Sequence, residues 1–86
     1  MPKISEFLGI IIYMYYREHN PPHFHAFYGE REASIAINPP SLIEGSLPPR
    51  VLGLVIEWAT LHKQELQEDW AMAKAMQPLQ KIAPLE

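Results

Sequence analysis

The sequence contains no cysteine. Disulfides, thiolate metal ligands and cysteine nucleophiles are therefore excluded together. Long apolar runs are missing too. The longest, Phe7 to Tyr16, is about half of what a membrane-spanning helix needs. The N-terminal stretch Met-Pro-Lys-Ile-Ser-Glu leads into no apolar segment with a small-residue cleavage site, so no signal peptide is expected. Basic charge is scarce, with seven Lys and Arg against ten Asp and Glu and a net charge of −3. Non-specific nucleic-acid binding depends on phosphate neutralisation by Lys and Arg, so DNA is not an expected partner, although a small local RNA site is not forbidden. There is no Gly-rich phosphate loop, no Gly-x-Ser-x-Gly and no His-Glu-x-x-His, which removes the common nucleotide, hydrolase and zinc-protease readings. The expectation is a cytoplasmic protein with no membrane association.

What the sequence does have is proline. Nine occur in 86 residues, six of them as the pairs 21–22, 39–40 and 48–49. They fall between apolar segments and act as punctuation. The length fits one domain, residues 1–86, and no linker divides it.

The run Gly9 to Tyr16 is β-branched and aromatic, which favours a strand. A turn belongs at Asn20-Pro21-Pro22, followed by a second strand over His23–Tyr28 and a third over Ala33–Ile37. Leu42-Ile43-Glu44 is a short fourth candidate closed by Gly45. From Ser46 the apolar period becomes helical, with Leu52, Val55, Ala59, His62, Leu66, Trp70 and Ala73 at spacings of three and four. Ser46 is the expected N-cap, with Pro48 and Pro49 in the first turn. Either one helix runs to about Met76 or a break near Gln67 makes two, and Pro78 ends it. The expected fold is α+β: a three- to four-stranded antiparallel meander with a C-terminal helix, or two, packed on one face.

Alternation assigns the faces. Ile10, Ile12 and Met14, with Phe24, Ala26 and Tyr28, form the set expected under the helix. Tyr13, Tyr15 and Arg17, with His23, His25 and Phe27, form the opposite, polar-aromatic face.

Three of the four histidines lie in His19-Asn-Pro-Pro-His-Phe-His25. His23 and His25 have the spacing that puts both rings on one strand face. Imidazole titrates near neutrality and is the commonest metal ligand, so the cluster suits either acid–base work or metal binding. His23, His25 and His19 are the catalytic candidates, with Tyr13, Tyr15, Arg17 and His62 as binding candidates. Glu18, His19 or Glu30 could add a ligand, but no spacing demands it. Without a clearly placed further ligand, no resident metal or cofactor is expected. His62, on the apolar flank of the helix, reads more simply as a satisfied, partly buried side chain.

The segments Gly9 to Tyr16, His19-Asn-Pro-Pro-His-Phe-His-Ala26, Glu44-Gly-Ser-Leu-Pro48 and Glu57-Trp-Ala-Thr-Leu-His62, with Trp70, resemble a small prokaryotic family catalogued as domain of unknown function 4160. The resemblance runs from about Pro2 to Leu85. It implies a bacterial component of a toxin–antitoxin-like two-gene module, with a protein partner encoded by a neighbouring gene. It brings no established catalytic set. The resulting expectation is a toxin–antitoxin-like protein acting on RNA through its histidine face. The alternatives are a non-catalytic protein-interaction module and a small metal-binding domain.

Overall fold

Five short segments of patterned burial pair into one antiparallel sheet in the computed structural model, which describes residues 2–86. They are β1 (Lys3–Phe7), β2 (Ile10–Tyr13), β3 (His23–Tyr28), β4 (Arg31–Ile37) and β5 (Pro40–Gly45). Their spatial order is their chain order, so the sheet is a meander. Two helices follow, α1 (Pro49–Leu61) and α2 (Lys63–Lys74). The architecture is α+β, with five strands rather than three or four. The added strand is β1, where a bulge buries the consecutive residues Ile4 and Ser5 and breaks simple alternation. No helix among the described residues is long and apolar enough to cross a membrane.

Turn chemistry follows the chain. Leu8 and Gly9 join β1 to β2 with φ of 52° and 79°, the pair of positive angles a type I′ hairpin turn requires. Gly29, at φ 60°, opens the two-residue turn between β3 and β4.

The aliphatic set lies where alternation puts it. Ile10, Ile12, Met14, Phe24, Ala26 and Ile35 are fully buried with Val55, Trp58 and Leu66 from the helices. Tyr28 departs from the expected pattern: at the end of β3, beside the Gly29 turn, it is 37% exposed. Trp58 is the hub of this core. Its ring lies 5.4 Å from Phe7 and 5.6 Å from Phe24, and its indole N–H donates to the Ala83 carbonyl at 2.8 Å.

The helix start differs from the expected one. Pro48 is the N-cap and Pro49 opens α1. Ser46 is held by the sheet instead, its N–H donating to the Glu32 carbonyl at 3.1 Å. The break between helices falls at His62, not near Gln67; its φ of −117° and ψ of 28° interrupt the helical path. At the end of α2, Gln77 N–H donates to Met72 O and Met76 N–H to Ala73 O, with Met76 at φ 58°. These are the paired bonds of a Schellman cap, with methionine where glycine is usual. The tail then runs back along the first strand, where Ile82 N–H donates to the Ile4 carbonyl at 2.8 Å.

Candidate functional site

The histidine strand presents its polar face where β2, β3, β4 and β5 lie side by side. Register places Tyr13, His25 and Ser34 opposite one another, and Ser34 opposite Glu44. The chain leaves β2 after Tyr13, passes through a loop, and returns at His23. That loop turns Glu18 back onto the histidines it precedes.

Three ligand-type atoms converge there. Glu18 Oε1 lies 2.5 Å from His25 Nε2 and 3.5 Å from His23 Nε2. One ligand atom each from Glu18, His23 and His25 falls within 4.8 Å of the others. The two imidazoles meet edge to face, with centroids 5.1 Å apart. His25 is buried, and His23 and Glu18 are half-buried.

Each ring is held from behind. His23 Nδ1 lies 2.8 Å from the Pro21 carbonyl. A carbonyl only accepts, so Nδ1 carries a proton and Nε2 is the nitrogen turned toward Glu18. On His25, Nδ1 faces Ser34 Oγ at 3.4 Å and Glu32 Oε2 at 3.5 Å. Aromatic rings supply the walls. Tyr15 packs on His25 with centroids 4.3 Å apart, and Trp70 from α2 lies 5.4 Å from His23.

Burial alone would raise the Glu18 carboxyl, but the hydrogen bond to His25 and the charges of His25 and His23 outweigh it. They hold the carboxyl below its ordinary value. The Tyr15 hydroxyl is pushed up, first by burial and then by the charges of Glu32, Glu18 and Tyr13.

Two clefts flank His25. One, of about 270 Å³, is bordered by Glu18, Asn20, His23, His25, Ser34 and Glu44. The other, of about 290 Å³, is bordered by His25, Glu32, Ser34 and Glu44. Among the described residues lining them are three glutamates and no Lys or Arg.

The expected site residues separate under this geometry. His23 and His25 come together with Tyr15, and Tyr13 lies one ring further out, 6.4 Å from Tyr15. His19 borders the cleft that Glu18 and His23 also line, but is exposed and outside the three-atom cluster. Arg17 is exposed, at φ 64°, and does not line either cleft. Strand alternation does not reach it, because β2 has already ended. His62 sits elsewhere, with Nδ1 2.6 Å from Glu65 Oε1 and its ring against Trp58. Glu30 is outside the cluster, whereas Glu18 occupies the place a third ligand would need. Ser34, Glu32 and Glu44 went unread as site residues. Only the pairing of β4 with its neighbours brings them to the histidines.

No curated protein and no solved structure matches the chain. The family model of a domain of unknown function, DUF4160, matches residues 9–71. That span contains Glu18, His23, His25, Ser34 and Glu44, so the match covers the whole cluster and most of the fold around it. The chain belongs to the DUF4160 family.

Proposed function

We propose that the protein is a small metal-binding domain, with a divalent transition ion held by Glu18 Oε1, His23 Nε2 and His25 Nε2. The observation that carries this reading is the convergence of one ligand atom each from Glu18, His23 and His25 within 4.8 Å of one another. The Pro21 carbonyl takes the Nδ1 proton of His23, so Nε2 is the nitrogen that faces the Glu18 carboxylate, at 3.5 Å. Either a proton on Nε2 or a metal ion can bridge that gap. Ligands at roughly 2.0–2.2 Å in a tetrahedral arrangement sit roughly 3.3–3.5 Å apart, which matches the separation of Glu18 from His23.

The pair Glu18 and His25, at 2.5 Å, is tighter than that. Here His25 Nε2–H donates to the carboxylate. An ion held there would need His25 Nε2 free of that proton, and Ser34 Oγ and Glu32 Oε2, 3.4 Å and 3.5 Å from Nδ1, would be its acceptors on the other nitrogen. Such outer partners on a ligating histidine orient the ring and raise its basicity.

Lining charge favours this reading over acid–base cleavage of RNA. A phosphodiester needs a cationic partner for its developing charge, and the clefts offer three carboxylates and neither Lys nor Arg. A carboxylate-rich pocket with two imidazoles attracts a cation and repels a bare phosphate.

Calorimetric titration of the untagged protein with zinc chloride tests the proposal. About one zinc per chain, lost in both Glu18→Gln and His23→Ala while the fold persists by circular dichroism, is expected. Unchanged zinc binding in both variants, or no binding by the wild type, overturns it.

A further inference from the structure

The strand β5 carries an irregularity at the site. Ile35 pairs with Leu42, but Ser34 pairs with Glu44, so Ile43 is an extra residue in the strand. In a regular strand, Leu42 and Glu44 would share a face. The bulge breaks that parity. Leu42 pairs with a residue of the helix-covered face, while Glu44 pairs with Ser34 on the histidine face. Bulges re-aim side chains in this way beside functional sites. Gly45 pins the strand end immediately after it: φ is 84°, and a Cβ there would collide with the Glu32 carbonyl oxygen.

The re-aimed carboxylate borders both clefts together with His25 and Ser34. It stays outside the cluster of three ligand atoms. Two strand spacings put its Cα roughly 10 Å from that of His25, with only the small Ser34 side chain between them. Glu44 is thus placed to face what the metal binds rather than the metal itself.

The ligand count leads to the same place. Three protein ligands leave at least one position of a four-coordinate ion unfilled, the arrangement of catalytic rather than structural zinc sites. The cleft of about 270 Å³ adjoins all three ligands and has room for more than one water, whose share of liquid volume is about 30 Å³.

Resting on the metal-binding reading, we infer that the ion keeps an exchangeable position open to this cleft. It takes a small neutral oxygen-donor ligand carrying an acidic O–H, and Glu44 accepts the hydrogen bond from that O–H. The flanking carboxylates Glu18, Glu32 and Glu44 select against simple anions, so a protic neutral molecule enters where inorganic phosphate does not.

Cobalt(II) reports on this directly, because its visible spectrum follows coordination. The cobalt-loaded full chain is titrated with acetohydroxamic acid and, separately, with inorganic phosphate. A saturable spectral change with acetohydroxamic acid and none with phosphate is expected. Glu44→Gln should weaken acetohydroxamic acid binding about tenfold, the loss expected for a hydrogen bond to a charged group, while cobalt affinity stays within about threefold. Glu44→Ala should behave alike, which separates the lost acceptor from any effect of the glutamine. Cobalt binding with a spectrum that acetohydroxamic acid does not move overturns the open position and leaves the metal-binding reading standing. Loss of cobalt in Glu44→Gln as severe as in Glu18→Gln makes Glu44 a ligand and overturns its role here. Equal binding of phosphate overturns the selectivity. Failure of the wild type to take up cobalt overturns the inference and the reading together.

Discussion

The Pro21 carbonyl accepts the Nδ1 proton of His23 at 2.8 Å, and this bond between neighbours two residues apart aims the opposite nitrogen at Glu18. The turn that ends one strand and starts the next therefore also sets the chemistry of the site. On His25 the corresponding partners are long, 3.4 Å to Ser34 and 3.5 Å to Glu32. The two rings should respond differently to the loss of what holds them. Ser34→Ala is expected to weaken zinc binding about tenfold, the effect of an outer partner, while His23→Ala weakens it more than a hundredfold, the effect of a ligand. Zinc titrations of both variants check the contrast, and equal losses would count against the assignment.

Trp58 is fully buried between Phe7 and Phe24 and donates to the Ala83 carbonyl. Trp58→Ala should cost about 3–5 kcal/mol, a large share of the stability of so small a domain. Trp58→Phe keeps most of the packing but loses the hydrogen bond, and should cost less than half as much. Urea unfolding monitored by circular dichroism separates the two. Equal costs would mean that the hydrogen bond to the tail, rather than packing, dominates.

Met76 holds the left-handed position of the α2 cap at φ 58° and is 55% exposed. A non-glycine residue there costs about 1–2 kcal/mol, and little packing is lost with the side chain. Met76→Gly should therefore stabilise the domain by about 1 kcal/mol, seen as a raised Tm. A lowered Tm would contradict the cap geometry.

Asp69 is fully buried in α2, accepting the Gln80 N–H on Oδ1 at 2.9 Å while Oδ2 has no partner. Burial pushes its carboxyl up, the Gln80 bond opposes, and the charges of Glu68 and Glu65 add to the rise. The folded chain thus keeps this proton to a higher pH than the unfolded chain does. Between the ordinary value of 3.8 and the raised folded one, the folded state binds more protons, so this group's contribution to stability falls as pH rises. Asp69→Asn keeps an oxygen for Gln80 and removes the ionisation. Its stability relative to wild type should increase with pH across that window and then level off. Denaturant midpoints measured at intervals from pH 4 upward check this, and a constant difference would contradict it.

The sheet faces were legible because alternation is a short-range property. Ile10, Ile12, Phe24 and Ala26 are buried, and His23 and His25 share the other side, as period two requires. What was not legible depends on events that leave no local signal. The bulge at Ile43 moves Glu44 to the histidine face, whereas plain alternation would place it with Leu42. The kink at His62 has neither proline nor glycine to mark it. The end of β2 at Tyr13 takes Arg17 out of the alternating pattern and into a left-handed turn. Glu18 was readable as a neighbour of the histidines, but only the path of the loop makes it their partner.

The central claim is that a metal joins Glu18, His23 and His25, and nitrogen NMR of the histidine rings tests it most directly. Long-range proton–nitrogen spectra of the ¹⁵N-labelled, untagged protein distinguish Nδ1 from Nε2 in each ring before and after zinc is added. The account predicts that zinc moves the Nε2 resonances of His23 and His25, leaves the His23 Nδ1 protonated, shifts the His25 proton from Nε2 to Nδ1, and spares His19 and His62. Zinc responses confined to His19 or His62, or none in either strand histidine with zinc in excess, would contradict it.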